Sequence, residues 1–576
     1  MKNQELAKIL FEFAELYDMQ EIPFKPRAFE RASEALTALD RDVEDIYKKE
    51  GLKGLQEIPA VGRGIAERIE EYLKTGRVRE YNALKKKFPV DIAGLSSIEG
   101  VGPKLIKLLY QKLKIKNVSE LEKAAKAGKL RVLPRMGEKL EKKILKGVEF
   151  KKEGGGRFAL GEILPLAREI RERLLKIKGV EAVELAGSLR RWQETIGDLD
   201  ILAISEEPEK IADYFSKMPE VQHVYAHGDT KVMVRLNPPA GGGIDADLRV
   251  VPAQSFGAAL QYFTGNKDHN VEVRKIAIKK GYKLNEYGLF KGKKVVAART
   301  EEEIYEKLGM ETPPPELRLN RGEVEAAIAH KLPKLIGYGD LRGDVQIQTS
   351  WTDGKNSIEE MVEEAEKIGH GYIAITDHTK SLAMTGGADE KKLSKQMAEI
   401  DKIQKKFPGI KILKGAEVNI LKDGTLDIKD EVLAKLDVVG AAVHSLFNLS
   451  KAEQTKRIIK AMENPHLDIL FHPTGRIINR RKPYEVDIEA IIKAAKRTGT
   501  VLEIDAYPDR LDIKDEYVRK CVEAGVKMSI DSDAHSASHF KFLEIGISQA
   551  RRGWATCDDI INAWPLEKML GLLKGK

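Results

Sequence analysis

Cysteine is nearly absent. Cys521 and Cys557 are the two thiols in 576 residues, too few for a disulfide framework, which excludes the stapled secreted scaffolds and predicts a reducing interior. Apolar runs long enough to cross a bilayer as a helix are also missing. Met1-Lys2-Asn3-Gln4-Glu5 reads as the start of a polar helix rather than a signal peptide, so the expected location is cytoplasmic. A bulk charge of one sign is lacking as well, since 33% of residues are charged yet the formal net charge is only +8. That excess is localised. Residues 1–318 hold 58 Lys and Arg against 50 Asp and Glu, the remainder holds 40 against 40, and residues 101–150 carry 14 basic against 5 acidic side chains. A basic face on helical segments reads as the footprint of a phosphate backbone; a merely solvated Lys-rich face is the commonplace alternative.

The length exceeds what one core can organise, and two to four domains are expected. The chain is arranged around Gly187-Ser188-Leu189-Arg190-Arg191, which is followed by Glu194-Thr195-Ile196-Gly197-Asp198-Leu199-Asp200. A Gly-Ser turn leaves backbone N–H groups and a hydroxyl for phosphate oxygens, and Arg190 and Arg191 add positive charge beside them. Strand alternation puts Asp198 and Asp200 on one face with Leu199 toward the core, a spacing at which two hard oxygen ligands can share divalent cations. Ile244-Asp245-Ala246-Asp247-Leu248 offers a third carboxylate, for which Asp247 is preferred because it immediately precedes the Leu-Arg-Val-Val run. Asp-x-Asp alone is common in solvated loops. Beside Gly-Ser-x-Arg-Arg and a second acidic strand it points to phosphoryl transfer.

Two further patterns flank this centre. Ile58-Pro59-Ala60-Val61-Gly62-Arg63-Gly64-Ile65 recurs as Ile98-Glu99-Gly100-Val101-Gly102-Pro103-Lys104-Leu105, and more weakly around Gly137 and Lys139. These resemble helix-hairpin-helix motifs, in which glycines turn the chain tightly before a helix whose first N–H groups bind a DNA phosphate without reading a base. From about Leu341 onward, short apolar strands such as Tyr372-Ile373-Ala374-Ile375 and Val501-Leu502-Glu503-Ile504 alternate with helices, the pattern of an α/β barrel. Metal-capable residues stand at its strand ends: Asp353, His378, Glu417, His444, His472, Asp533 and His535.

The first half resembles the nucleotidyltransferase palm of family X DNA polymerases, the group that includes DNA polymerase beta. The similarity is greatest to the prokaryotic branch with a C-terminal polymerase and histidinol phosphatase (PHP) domain, and it covers nearly the whole chain. It implies a multidomain α+β and α/β fold: a helical 5′-phosphate-binding domain (1–85), a helix-hairpin-helix subdomain (86–153), the palm (154–250), a nucleotide-selecting subdomain (251–318) that ends in the stiff Pro-rich boundary Glu311-Thr312-Pro313-Pro314-Pro315-Glu316-Leu317-Arg318, a linker (319–340) and a distorted (β/α)7 PHP barrel (341–576). It implies Asp198, Asp200 and Asp247 as ligands of Mg²⁺ or Mn²⁺, with dNTPs contacted by Gly187, Ser188, Arg191, Gly197, Tyr262, Phe263, Gly265, Asn270 and Arg274. Gapped or primer-template DNA would be held by Lys25, Gly62, Arg63, Gly64, Arg68, Gly100, Gly102, Lys104, Gly137 and Lys139 of a monomer. The PHP resemblance implies Mn²⁺ or Zn²⁺ and 3′-5′ exonuclease chemistry.

Two departures qualify the resemblance. Relatives of polymerase beta can use a lysine Schiff base to remove deoxyribose phosphate, but that position here is Arg68, which is not such a nucleophile, leaving Lys74 as a weak substitute. The PHP pattern opens with His-x-His, whereas this chain has Gln346 and Gln348, neutral and weaker ligands for zinc-like metals. The damaged site would be Gln346, Gln348, Glu417 and Asp533, while Glu417-His444-His472 and Asp353-His378-His535 keep their ligands. A weakened exonuclease and a purely structural barrel both follow from this. For the first half, a template-directed repair polymerase is expected over untemplated or RNA nucleotidyl transfer and over a DNA-binding scaffold with decayed sites.

Overall fold

The computed structural model describes residues 2–575 except 38, 40, 59, 97, 99, 100, 135, 154, 155 and 239–242. Gly100, Gly154 and Gly155, and the side chain of Lys139, therefore lie outside the described residues. Helices alone make the N-terminal part, and one apolar core runs through them from Leu6 to Val148. In the helix Arg63–Thr75 the buried residues Ile65, Ala66, Ile69 and Tyr72 recur at three- and four-residue spacing, which fixes one face inward. Gly62 caps its start in an extended conformation, and Gly76 ends it at φ +67°. Gly102 begins the helix Pro103–Leu113 in the same way, with proline at its first position.

The palm is a five-stranded sheet in the spatial order Val180–Leu185, Asp198–Ser205, Ile244–Val250, Lys231–Leu236, Val221–His227. Its two central strands are parallel and place Asp198 opposite Asp245 and Asp200 opposite Asp247. Leu199, Ile201 and Ala203 alternate with the carboxylates and join a core with Ala246, Leu248 and the helix Leu160–Leu175. The apolar alternation thus fixes which face carries the acids. Beyond the palm, the helices Phe256–Thr264 and Lys267–Lys279 and a three-stranded antiparallel sheet of Lys283–Asn285, Gly288–Lys291 and Lys294–Ala297 form the next body.

Residues 319–340, expected as a linker, are packed instead. Val324 and Ala327 of the helix Glu323–Ile328 enter the preceding core, and Ile336 enters the barrel core. Pro313, Pro314 and Pro315 stiffen the chain just before residues 319–340, but the apolar residues that follow have faces to bury. Seven parallel strands then follow in chain order, Gly343–Ile347, Tyr372–Ile375, Lys411–Asn419, Val438–Ala442, Ile469–Leu470, Val501–Asp505 and Met528–Asp531. A bridge between Ile347 and Ala534 brings the two ends together, giving a nearly closed barrel. Strands covered on both faces read as unbroken apolar runs, which is why Tyr372–Ile375 is buried at every position.

Barrel and palm share an interface. Ile478, Leu511 and Ile545 of the barrel belong to the palm core, and Arg168 holds Glu544 through two hydrogen bonds of 2.7 and 2.9 Å. Arg476 donates to Glu194 at 2.8 Å and to the carbonyl of Leu511, while Arg552 donates to the carbonyl of Trp192.

Candidate active sites in the palm and the barrel

The palm carboxylates sit where two strand starts meet a tight turn. Gly187 has φ +59°, and a Cβ placed there would lie 2.1 Å from Oδ2 of Asp200. Glycine is therefore required both for the left-handed backbone and for the space. The turn heads the short helix Gly187–Arg190, and the buried Ser188 hydroxyl has no hydrogen-bond partner. A buried, unpaired hydroxyl on a helix start beside carboxylates is what a bound phosphate or ion would satisfy. Burial raises Asp200 to about 7, reinforced by Asp198 and Asp247 and opposed by Arg191 and Arg249. Burial also raises Asp247 above the usual carboxylate range, although Lys231 and Arg249 counter it. Three carboxylates so crowded fit a divalent-cation site. Asp245, the fourth acid on this face, is held by Arg235 at 2.8 Å.

Arg190 and Arg191 diverge. Both were expected beside the Gly-Ser turn, but Arg190 makes a bidentate pair with Glu301 at 2.9 and 2.6 Å, and Glu301 also accepts from the buried Arg318. Arg190 thus ties the palm to the following subdomain. Arg191 donates to the carbonyl of Thr264, and a Cβ on Gly265 would stand 3.2 Å from its Nη1. Burial lowers Arg191 to about 10, with Asp200 and Asp198 acting against that shift. Gly197 is crowded by Arg157, whose Nη1 would lie 2.7 Å from an added Cβ.

The rings of Tyr262 and Phe263 meet edge to face at 5.1 Å, and the Arg249 guanidinium lies 4.6 Å from the Phe263 ring centre. Asn270, expected to contact the dNTP, is 7% exposed and spends its amide internally. It accepts from Gln261 at 2.8 Å and donates to the carbonyl of Tyr262 at 2.7 Å. These bonds tie the helix Lys267–Lys279 to the backbone of Tyr262 in the helix Phe256–Thr264. Arg274 donates to the carbonyl of Asn270 at 3.1 Å from the next helical turn.

In the helical part Lys25, Gly62, Arg63, Gly64, Gly102, Lys104 and Gly137 are exposed. Lys25 lies 4.6 Å from the Tyr17 ring centre. Arg68 is more committed, donating to Glu80 at 3.1 Å and to the carbonyl of Gly64 at 2.5 Å. Hydrogen bonds to Glu70 and Tyr47 raise the pKa of Lys74, which removes free amine at neutral pH and disfavours a Schiff-base role.

Glu417 is the hub of the barrel site. Its Oε1 lies 2.9 Å from Nε2 of His472 and 3.0 Å from Nε2 of His444, and its Oε2 lies 3.2 Å from Nδ1 of His378. Burial opposes its charge, but His378, His444 and His472 hold its carboxyl well below the usual range. Asn419 orients His444 through Nδ1 at 2.8 Å. Among the described residues two groups converge closely enough to hold a metal ion: Asp353, His378 and His535, and His378, Glu417 and His444. The second differs from the expected trio in taking His378, with His472 hydrogen-bonded to Glu417 beside it. The buried Oδ1 of Asp353, a member of the first group, has no hydrogen-bond partner among the described residues, which suits a metal ligand. Gln348 is turned the other way, donating its amide to Oε2 of Glu417 at 2.7 Å. Gln346 is fully buried with its side-chain amide facing the carboxyl of Glu503.

Sequence reasoning missed the pairing of Glu194 with Arg476 and of Glu301 with Arg190. Each joins residues more than a hundred positions apart.

A carboxylate-bearing palm behind hairpin-bearing helices and ahead of a His-rich seven-stranded barrel defines a nucleotidyltransferase joined to a phosphoesterase-type unit. Family models agree: "Helix-hairpin-helix domain" matches residues 1–78, "SAM-like Helix-hairpin-helix tandem" 92–149, "DNA polymerase beta thumb" 259–319 and "PHP domain" 344–535. The "DNA polymerase/3'-5' exonuclease PolX" of Bacillus subtilis is 36% identical over 577 residues, covering 100% of both chains. A "Probable phosphatase" of Thermoanaerobacter sp. (strain X514) is 33% identical over 36% of this chain and 84% of its own. The chain belongs to the prokaryotic family X DNA polymerases that carry a C-terminal PHP domain. Among the described residues no helix is long and apolar enough to cross a membrane.

Proposed function

We propose that this chain is a template-directed DNA polymerase that fills short gaps during repair, acting as a monomer on gapped or primer-template DNA. The register that sets Asp200 beside Asp247, with Asp198 one alternation away, carries this reading. Asp198, Asp200 and Asp247 would hold Mg²⁺ or Mn²⁺, which supplies Lewis acidity toward the attacking hydroxyl and the triphosphate. Asp247 accepts the proton of the primer 3′ hydroxyl. Ser188 and the N–H groups of its turn receive the triphosphate, with Arg191 beside them. Tyr262 and Phe263, the former bonded through its carbonyl to Asn270, form the floor under the sugar and exclude a 2′ hydroxyl. The helix starts at Gly62, Gly102 and Gly137, with Lys25, Arg63, Lys104 and Lys139, bind the DNA backbone, while Arg68 supports that domain through Glu80.

In the barrel, Mn²⁺ or Zn²⁺ would be held by Asp353, His378 and His535 and by His378, Glu417 and His444, with His472 hydrogen-bonded to Glu417 beside them. The exonuclease is weakened because Gln348 donates to Glu417 where a ligand would be needed. A structural role for the barrel is favoured by its contribution of Ile478, Leu511 and Ile545 to the palm core.

The test is extension of a labelled primer across a one-nucleotide gap, with and without template and with dNTP or NTP. Asp198→Ala should lose incorporation while binding the gap as tightly as wild type. Template-independent addition by the wild type, or full incorporation by the variant, would defeat the proposal.

A further inference from the structure

The segment that leads into the catalytic strand of the palm is held from two sides. Residues 192–197 connect the turn at Gly187–Arg190 to Asp198. The palm fastens them from within: Ile196 and Thr195 pair with Phe158 and Ala159, the Leu160 N–H donates to the carbonyl of Glu194 at 3.0 Å, and Arg157 donates to the Thr195 hydroxyl at 3.0 Å. The barrel fastens them from outside. Arg476 donates to Oε2 of Glu194 at 2.8 Å, Arg552 donates to the carbonyl of Trp192, and the amide of Asn479 donates to the carbonyl of Arg157 at 2.9 Å. Arg476 and Asn479 stand in the loop after the strand Ile469–Leu470, and Arg552 closes the helix Leu543–Arg552.

Two features give the barrel's hold its effect. Trp192 has φ +52°, a left-handed backbone that costs a bulky residue about 1–3 kcal/mol and persists only where the surroundings impose it. Here they do: the Tyr338 ring centre lies 5.5 Å from that of the indole, the Arg168 guanidinium lies 5.7 Å from it, and Arg552 holds the carbonyl. Arg476, for its part, is a fixed point. Its side chain is 4% exposed and also donates to the carbonyl of Leu511. Thr474, two residues earlier, is pinned to Asp512 by its N–H at 2.9 Å and its hydroxyl at 2.8 Å. A charge-assisted bond with one partner shielded from water is stronger than the same bond in bulk solvent, so Glu194 is held where Arg476 stands.

We propose that Arg476 of the barrel is a positioning residue for nucleotidyl transfer in the palm. With Asn479 and Arg552 it fixes residues 192–197, and through them the place at which Asp198 meets its metal ion, so the barrel sets part of the palm's affinity for the cation. Asp198 follows Glu194 by four residues, and a displacement of about 1 Å at a reacting centre can cost about 10²-fold in rate. The proposal rests on the reading that Asp198, Asp200 and Asp247 hold metal ions.

The experiment is single-turnover gap filling by the full-length chain as a function of Mg²⁺ concentration, with melting and gapped-DNA affinity measured alongside. Arg476→Gln keeps a hydrogen-bond donor and loses the charge that faces Glu194. It should raise half-saturating Mg²⁺ about tenfold, the size of a lost charge-assisted hydrogen bond, with gap affinity unchanged. Glu194→Gln, which leaves the buried arginine in place, should give a similar rise, and the double variant should add little to either single. Arg476→Lys should recover part of the loss. Ile545→Ala loosens the barrel against the palm core without removing a hydrogen bond to residues 192–197, and should lower melting while leaving the Mg²⁺ dependence as it was. Unchanged Mg²⁺ dependence in both Arg476→Gln and Glu194→Gln, or an equal rise in Ile545→Ala, would overturn the assignment of Arg476. Normal incorporation by Asp198→Asn would instead remove the metal reading on which the assignment rests.

Discussion

Replacing Gly187 by alanine tests the palm site through the smallest possible change. The residue has φ +59°, a conformation that costs a residue with a Cβ about 1 kcal/mol relative to glycine. The added methyl would begin 2.1 Å from Oδ2 of Asp200, well inside contact distance, so the carboxylate or the turn must move by about 1 Å, and a displacement of that size can cost about 10²-fold in rate. The expected result is a loss of about 10²-fold or more in single-turnover gap filling. Chain stability should fall by only about 1–2 kcal/mol, read by urea denaturation, and gapped-DNA affinity, read by fluorescence anisotropy, should stay within about twofold because the hairpin helices are remote from the turn. Gap filling within threefold of wild type would refute the argument that Gly187 exists to admit Asp200. Equal loss of DNA binding would show that the substitution acts through global damage.

Other expectations follow from particular contacts. Glu301→Ala leaves Arg190 and the buried Arg318 without their shared carboxylate and should cost about 3–5 kcal/mol in urea unfolding; no measurable cost would mean that the pair is not formed. Burial opposes the Glu301 charge, but Arg318 and Arg190 depress its pKa from 4.5 to about 2, so its stabilisation is full above pH 4.5 and is lost as pH falls toward 2. Glu301→Gln should therefore flatten that part of the pH–stability curve. Removing residues 337–576 uncovers the palm surface met by Ile478, Leu511 and Ile545, and the shortened chain should melt lower and incorporate nucleotides more slowly; unchanged melting and rate would make the barrel dispensable to the palm. Borohydride should trap no appreciable Schiff base with a 5′-deoxyribose phosphate end, because Arg68 is bound to Glu80 and Lys74 is held protonated. Efficient trapping lost in Lys74→Ala would contradict this.

What could be read from the sequence was local chemistry. Gly187-Ser188, Asp198-x-Asp200 and the barrel's strand-end histidines declare themselves because their ligand atoms are spaced by a turn, a strand period or a βα unit. The choice between Asp245 and Asp247 rested on neighbouring residues alone, and the pair between Asp245 and Arg235 appears only once the strands are in register. Long-range charge pairing was not legible. Arg190 and Glu301 are 111 residues apart, and nothing in either local sequence shows that Arg190 is consumed by Glu301 while Arg191 remains beside the carboxylates. Asn270 was read as a dNTP contact, and its two internal hydrogen bonds, which depend on how two helices meet, could not be seen. The glutamines were visible as weaker ligands; that Gln348 would donate to Glu417 required the barrel to close.

The most direct measurement is pre-steady-state incorporation of one correct dNTP into a one-nucleotide gap by Asp198→Asn, Asp200→Asn and Asp247→Asn, each at saturating Mg²⁺ and with gap affinity determined in parallel. If these three carboxylates form one metal-dependent transfer site, each variant binds the gap normally and loses about 10³-fold or more in rate, and pairs of substitutions lose little beyond the singles. Incorporation at near wild-type rates by the Asp198 or Asp200 variant, or rate losses that multiply in the pairs, would contradict the account.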